Sequence, residues 1–212
     1  MEKMTRKRAV ELTGGLSSPS KMPCKAYGIP ALISCPTGTI LAKIEGTVCH
    51  ECYALNHFYQ MPVVKNAQQN RYNLTKEDEW VDGMVYLLDH QRNDHFRWHD
   101  SGDVYSVEYF KKIIRVCKRT PQIKHWLPTK EGKMVIEYQG TIPNNLMVRV
   151  SASKINKGPL HAFEYTSTVV DDNHELWGFE CWATSDFGDG SCGNCRACWN
   201  KDIKNISYRL HK

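Results

Sequence analysis

The sequence contains no apolar run that approaches the roughly 20 residues needed to cross a bilayer, which argues against a membrane-spanning protein. Its first residues are basic but lack the apolar stretch of a secretory signal. It has no internal repeat and no low-complexity segment. Hydrophobic residues make up 41% and charged residues 24%, so an intrinsically disordered chain is not indicated. These absences predict one globular domain, residues 1–212, that stays in the cytosol.

Positive charge is concentrated at the two ends of the chain, although the net charge is only +5. Residues 1–25 contain six Lys or Arg and two acids, and residues 196–212 contain five and one. Basic ends of this kind bind nucleic acid non-specifically through its phosphates. Short charge runs are also common in solvated tails. A nucleic-acid partner and a plain solvated tail therefore both stay open, beside a small-molecule substrate.

Nine cysteines are the unusual feature of the composition. Cytosolic thiols are kept reduced and nine is an odd number, so a disulfide framework is not favoured. Cys192, Cys195 and Cys198 have the C-x2-C-x2-C spacing with which one short loop gives three thiolates to a cubane cluster. Cys49 and Cys52 have the C-x2-C spacing that lets two thiolates bind one metal centre. The pattern predicts a metal protein.

The predicted ligands come from the N-terminal third and from the last thirty or so residues, and they are Cys24, Cys35, Cys49, Cys52, Cys181, Cys192, Cys195 and Cys198. Cys117 is left out because it falls on the apolar face of a predicted helix. Two sets of four cysteines would also suit two zinc ions. The upstream set is stretched and Tyr53, Trp182 and Trp199 directly follow cysteines, which favours an iron–sulfur cluster. The predicted cofactor is one [4Fe-4S] cluster or two, with zinc as the alternative.

Strands and helices alternate through the middle of the chain, which predicts an α/β fold with a parallel sheet. The predicted strands are Thr39–Ile44, His95–Trp98, Ile123–Leu127, Leu146–Val150, Ser167–Val170 and Leu176–Trp182. The predicted helices are 63–73, 76–92, Ser106–Arg119 and Glu131–Tyr138, the second opening on a capping-box pattern at Thr75. Residues 1–38 and 183–212 are predicted to be irregular segments around an α/β core of residues 39–182.

Polar side chains follow three predicted strands at their carboxyl ends, where ligands bind in parallel α/β sheets and barrels. The predicted substrate site consists of Arg97, His99, Asp100, Ser101, Asp103 and Lys130. His99 would serve as general base, Asp100 or Asp103 would orient it, and Ser101 would be the nucleophile of a hydrolase such as an esterase. The same Asp residues fit helix caps, and neighbours in sequence do not by themselves make a triad.

These motifs carry two family resemblances. Cys49-His50-Glu51-Cys52-Tyr53-Ala54, Leu127-Pro128-Thr129-Lys130 and Pro143–Ser151 resemble segments of phage-associated radical S-adenosylmethionine (SAM) proteins. Over most of its length the chain is similar to a family of small phage-encoded, cysteine-rich proteins of the gene-product-88 type, in Phe96–Asp103 and in the terminal C-x2-C-x2-C-W. The resemblances imply a partial (β/α) barrel with irregular metal-binding segments at both ends, and a phage-encoded protein that acts in the host cytoplasm.

The chain departs from the radical SAM motif C-x3-C-x2-C at one position, because its first cysteine would fall where Glu45 stands. Three cysteines leave one iron free to bind SAM, whereas added cysteines from the C-terminal loop would cap it. We therefore expect a closed [4Fe-4S] cluster beside a polar face with hydrolase chemistry. Two alternatives stay open: a non-catalytic, metal-stapled module that binds host nucleic acid or protein, and an active radical SAM enzyme.

Overall fold

The computed structural model describes residues 3–185 and 188–210, which fold around one β-sheet of seven strands. The strands are β1 (Lys25–Tyr27), β2 (His95–Trp98), β3 (Lys124–Thr129), β4 (Leu146–Ser151), β5 (Thr166–Val170), β6 (Phe179–Glu180) and β7 (Asn205–Arg209). The α-helices are α1 (Arg6–Thr13), α2 (Pro36–Leu41), α3 (Pro62–Leu74), α4 (Trp80–Asp89), α5 (Val107–Arg119) and α6 (Gly132–Glu137). None of the helices in this part of the chain is long and apolar enough to cross a membrane.

All pairings between these strands are parallel, and the sheet order is β1-β2-β3-β4-β5-β7-β6. The predicted α/β fold with a parallel sheet is therefore confirmed. The sheet is open, with β1 and β6 at its edges. The last strand along the chain, β7, lies between β5 and β6, so β6 reaches the sheet only through β7.

The main hydrophobic core lies between one face of the sheet and the helices α4 and α5. Apolar side chains recur on one face of α5, and Ser106 caps its first turn by accepting a hydrogen bond from the Tyr109 N–H (3.1 Å). Trp80 from α4 packs against Trp98 from β2, with ring centroids 6.1 Å apart. The opposite face of the sheet carries a smaller cluster formed by Cys24, Trp126, Met147 and Trp199. This second face holds one of the two cysteine groups described below.

His125 lies in the main core, fully buried and stacked on Trp98 with ring centroids 5.9 Å apart. Burial lowers its pKa from the ordinary value near 6.5 to about 3. Between these two values the unfolded chain binds a proton that the folded chain does not, so stability falls as the pH falls through this range.

We expect His125→Gln to lose about 2 kcal/mol less unfolding free energy than the wild type when the pH is lowered from 7 to 5. The amide still reaches the Thr120 hydroxyl, which lies 2.9 Å from His125 Nε2, while the titrating group is gone. Urea unfolding at the two pH values measures the difference. The variant keeps all nine cysteines, so the thiols titrate in both chains. An equal loss of unfolding free energy in the two chains would therefore contradict the assignment to His125.

The predicted strand Thr39–Ile44 is wrong, since helix α2 covers Pro36–Leu41. Pro36 stands in the first turn of the helix, where a missing backbone N–H leaves no hydrogen bond unmade. The Thr39 N–H and hydroxyl both donate to the Cys35 carbonyl at 2.8 Å, which closes that turn. The weak alternation of apolar residues was too short to outweigh this helix start.

The segments predicted to be irregular contain regular elements. Residues 1–38 include α1, capped by Thr5 and ended by Gly14 at φ +74°, and also β1. The tail 183–212 includes β7, while residues 186, 187, 211 and 212 lie outside the described residues. With three residues, β1 is too short for a strand pattern to be recognisable in the sequence.

Two further boundaries differ from the predicted ones. Helix α3 ends at Leu74, and the Thr75 hydroxyl donates to the Tyr72 carbonyl (2.6 Å) instead of capping a new helix. Helix α4 then begins at Trp80. The predicted strand Leu176–Trp182 shortens to Phe179–Glu180, and Trp182 begins a 3-10 helix.

Candidate metal centres

The carboxyl ends of β1, β2 and β4 bring distant segments of the chain together. After β1, the Ile29 N–H donates to the Ser101 carbonyl (3.0 Å), which joins this segment to the one after β2. Further along, the Val48 N–H donates to the Ser153 carbonyl after β4 (2.9 Å). The loop 42–55 thus reaches the predicted end of the sheet, although helix α2 and not a strand directly precedes it.

Cys35, Cys49 and Cys52 form the first group of cysteines, which we call the N-terminal group. A Cβ at Gly38 would lie 2.9 Å from Cys35 Cβ, 3.6 Å from Cys49 Sγ and 3.8 Å from Cys35 Sγ, so both sulfurs lie beside this glycine. Cys49 and Cys52 both act electrostatically on Cys35, and Cys52 acts on Cys49. Burial raises the pKa of Cys35 to about 12 and that of Cys49 to about 11. A metal centre would have to displace these protons.

Lys130, directly after β3, brings a positive charge to this group. Its charge lowers the pKa of Cys49 and of Cys52, against the larger effect of burial. The ammonium donates to the Ala152 carbonyl (2.8 Å), which fixes it over the ends of β3 and β4. A buried cation beside two thiols favours their thiolate forms, as a metal site requires.

Two carboxyl groups accept hydrogen bonds that hold the segments around the same group of cysteines in place. Asp103 accepts hydrogen bonds from the Thr129 hydroxyl (2.6 Å) and the Lys130 N–H (2.8 Å), while burial raises its pKa to about 7. Glu131 accepts from the Thr37 N–H (2.8 Å) and the Thr37 hydroxyl (2.7 Å). Since Thr37 lies in the first turn of α2, Glu131 ties the start of that helix, and Cys35 beside it, to the end of β3.

The second group, which we call the C-terminal group, lines a single cavity on the other face of the sheet. Its cysteines are Cys181, Cys192, Cys195 and Cys198, and Phe179, Trp182, Trp199 and Ile206 complete the walls. The Cys195 N–H donates to the Cys192 carbonyl (2.8 Å), so the C-x2-C-x2-C segment forms a tight turn. Gly193 within it has φ +46°, a left-handed conformation that suits glycine. Four thiols thus face one space walled by aromatic rings.

Cys24 and Cys117 stand apart from these groups. Cys24 packs with Trp126, Met147 and Trp199, and it interacts electrostatically with Cys192 but does not line the cavity. Cys117 is fully buried in the main core, as predicted from its place on α5. Seven of the eight predicted ligands therefore fall into two groups.

Neither group has its donors gathered around a single point. In residues 3–185 and 188–210, no three His, Cys, Asp or Glu side chains are close enough together to hold one metal ion. The donor chemistry of each group is nevertheless uniform, with thiols in the majority and no His imidazole among the lining residues of the C-terminal cavity. Thiolate-rich sites suit zinc or iron–sulfur clusters and disfavour magnesium and calcium.

Arg149 from β4 holds the C-terminal group in place, and nothing in the sequence pattern singled it out. It is fully buried, and its guanidinium donates to the carbonyls of Cys198 (3.1 Å), Ala197 (3.2 Å) and Asn200 (2.8 Å). These carbonyls belong to the 3-10 helix Ala197–Trp199 and the residue after it. One side chain thus fixes the backbone that presents Cys198.

We expect Arg149→Met to lower the free energy of unfolding by about 3 kcal/mol or more, because buried carbonyls lose charge-assisted hydrogen bonds. Urea unfolding of the metal-free and metal-loaded chains measures the loss. Arg115→Met is the matched control, since Arg115 is exposed on α5 and its replacement should cost less than about 0.5 kcal/mol. Equal losses in the two variants would contradict the structural role of Arg149.

The residues of the predicted hydrolase site lie near one another, but the histidine, acid and serine side chains do not form a hydrogen-bonded triad. His99, at φ +53°, turns towards α5, where its Nε2 lies 3.1 Å from the Tyr109 hydroxyl. Burial lowers its pKa to about 3. Asp100 accepts from the Ser17 hydroxyl (3.1 Å), and no hydrogen bond joins His99 to Asp100, Ser101 or Asp103 among the described residues.

Arg97 lies between the two cysteine groups. Its Nη2 donates to the Tyr53 hydroxyl (3.1 Å), and Tyr53 directly follows Cys52. Its Nη1 is 3.7 Å from Met22 Sδ, which is 3.9 Å from Cys192 Sγ. The Tyr53 hydroxyl in turn donates to the Asp100 carbonyl (2.7 Å). Arg97 is therefore a neighbour of both groups.

A family model described as "gene product 88" matches residues 2–205 of the chain. No curated protein and no solved structure matches it.

Proposed function

Because the chain belongs to the gene product 88 family, a phage-type family, we propose that it works in the host cytoplasm as a phage-encoded iron–sulfur enzyme with two separate centres. The division of the cysteines into two groups carries this proposal. The proposal replaces the expected closed cluster, which cysteines from both ends of the chain would cap. It assigns instead two centres, one with three thiolates and one with four.

The N-terminal group would hold a cluster by Cys35, Cys49 and Cys52. Glu45, where the radical SAM motif has cysteine, is exposed, and Cys35 supplies the third sulfur from the start of α2. A cluster held there by three cysteines would leave one iron open to SAM, and the cluster, once reduced by an external reductant, would supply the electron for SAM cleavage. The position of the group at the carboxyl ends of a parallel sheet is where α/β proteins bind their substrates.

The C-terminal group would hold a closed cluster by Cys181, Cys192, Cys195 and Cys198. Four thiolates satisfy every iron of a cubane and leave none open to a substrate. Trp182 and the buried Trp199 give this cavity aromatic walls beside the four thiols. We assign Cys24 to packing beside this centre, since it does not line the cavity.

The sequence pattern favours iron–sulfur clusters over zinc, because the upstream cysteines are widely spaced and Tyr53, Trp182 and Trp199 directly follow cysteines.

The chain's own residues would prepare the open site. Lys130 stabilises the thiolates of Cys49 and Cys52. Glu131 and Asp103 fix the segments on either side of them through backbone and hydroxyl donors. No observation favours hydrolase chemistry in the same way, because His99 is bound to Tyr109 and not to an acid or to Ser101.

Anaerobic purification with iron, sulfide and zinc measured per chain tests the metal assignment. We expect a brown protein with about eight irons, and a colourless protein with zinc and no iron would overturn the proposal. The activity test follows the products of reductive SAM cleavage after addition of dithionite. Iron-loaded protein that leaves SAM intact under these conditions would remove the enzymatic part and leave a metal-stapled module.

A further inference from the structure

Arg97, near the carboxyl end of β2, has a guanidinium whose hydrogen-bonding capacity is largely unused. Its Nη2 donates to the Tyr53 hydroxyl (3.1 Å), and its Nη1 lies 3.7 Å from Met22 Sδ, a weak acceptor. Its Nε is buried and has no hydrogen-bond partner among the described residues. Buried N–H groups are nearly always paired in proteins, so the unpaired Nε–H favours an acceptor that comes from outside the chain.

The guanidinium of Arg97 is held in position by an aromatic ring. It lies over the ring of Trp126 from β3, with its Cζ 4.8 Å from the ring centroid. Such a contact restricts the plane of the guanidinium and leaves the N–H groups at its edge free to donate. The planar fork of these groups matches two oxygens of a carboxylate or a phosphate.

The charge of Arg97 is only partly compensated by the chain. None of the nine ion pairs within the described residues includes it. Asp100 acts on it electrostatically, but Arg71 acts on the same carboxyl group. Asp100 Oδ1 accepts from the Ser17 hydroxyl (3.1 Å) and lies against Gly28, where an added Cβ would be 2.5 Å away. Two arginines beside one carboxyl group leave a net positive charge.

Three tyrosine hydroxyls complete the surroundings of the guanidinium. Tyr53, Tyr59 and Tyr208 each act on Arg97 electrostatically. The hydroxyls of Tyr53 and Tyr59 both donate to the Asp100 carbonyl, at 2.7 and 3.2 Å. Burial raises the pKa of each phenol, so the three hydroxyls are neutral at physiological pH. They therefore add no negative charge that would repel an anion from the arginine.

We infer that Arg97 binds an oxyanion group of the substrate, a carboxylate or a phosphate, through the unpaired N–H edge of its guanidinium over Trp126. A purely structural role, in which Arg97 only holds Tyr53, needs the Nη2 contact alone and leaves the buried Nε–H unexplained. The anion would lie beside the proposed open centre, because Tyr53 directly follows Cys52. The inference rests on the proposed function, since that function makes the bound anion part of a substrate.

Isothermal titration calorimetry of the full chain, purified anaerobically, tests the inference with inorganic phosphate and with acetate, at an ionic strength held constant with sodium chloride. We expect a saturable heat with at least one probe, and the probe that binds more tightly identifies the substrate group as phosphate or carboxylate. Arg97→Gln should lose this saturable heat. Arg97→Lys keeps the charge but not the planar fork, so its binding should be roughly tenfold or more weaker. Arg115→Gln, which removes an exposed arginine of α5, should bind as the wild type does.

A wild-type chain that binds neither probe would overturn the inference, and so would an Arg97→Gln chain that binds as tightly as the wild type. Where Arg97→Gln does not fold, Arg97→Lys decides, because wild-type affinity in that variant would contradict recognition by the guanidinium fork. Iron measured on the same preparations separates this test from that of the proposed function. An iron-loaded chain without anion binding rejects the inference alone. A chain without iron rejects the proposed function, and its anion binding still decides the role of Arg97.

Discussion

Cys52→Ser should purify with about half of the iron of the wild-type chain and should have no reductive SAM-cleaving activity. Cys52 belongs to the three-thiol group, and two remaining thiolates are too few to keep a cluster there. None of the three N-terminal cysteines lines the four-thiol cavity, so that cavity should keep its own cluster. Iron per chain, the visible spectrum and the yield of SAM cleavage products measure the effect.

Cys117→Ala is the matched control for this variant. Cys117 is a thiol of the same chain, fully buried in the main core and outside both groups, so its loss should leave the iron content unchanged. A Cys52→Ser chain with the full iron content would show that the three-thiol group is not a metal centre. Loss of all iron would show that the two groups are one centre.

Cys195→Ser should have the largest effect on stability. Metal binding at a site that exists only in the folded chain adds directly to folding free energy. Loss of the C-terminal centre should cost on the order of 5 kcal/mol, which corresponds to a fall in Tm of roughly 10 °C or more for a chain of this size. The cavity also joins β6 to the sheet, since the Cys181 N–H donates to the Ser207 carbonyl of β7 (2.8 Å).

Thermal unfolding under anaerobic conditions measures this change, and Cys24→Ser provides its comparison. Cys24 packs beside the C-terminal group but does not line its cavity, so its serine variant should keep the iron and most of the stability. If Cys24→Ser loses iron and Cys195→Ser retains it, the ligand set proposed for this centre is wrong.

The parts of the fold that could be predicted from the sequence are those with long, regular apolar patterns. Helix α5 and the strands β2, β3 and β4 lie within a residue or two of their predicted positions, because each presents several buried side chains at the period of its element. Strand β1 could not be found in the same way. It is stable as a strand because it pairs with β2, and that pairing is a long-range contact.

The candidate metal site could likewise be predicted only where short-range sequence spacing determines it. The spacing of Cys192, Cys195 and Cys198 fixed their group, because three thiols in seven residues cannot lie far apart. Cys35 was predicted in the same set as Cys49 and Cys52, but the way in which it reaches them was not, since it stands at the start of a helix where the sequence pattern suggested a strand. Arg149 was missed because arginine side chains are mostly exposed in proteins. The sequence does not show the backbone carbonyls to which this arginine donates in the folded chain.

The position of β7 between β5 and β6 has a consequence for the order in which the molecule assembles. The strand β6 pairs with β7 alone, and β7 comes later in the chain, so β6 cannot dock until residues 205–209 have found β5. Contacts of this kind form late in folding, because a long loop must close before they gain any energy. Since the docking of β6 is what positions Cys181, the four-cysteine cavity should be the last part of the chain to mature. Its cluster would then be delivered to a nearly finished protein and not to a nascent one.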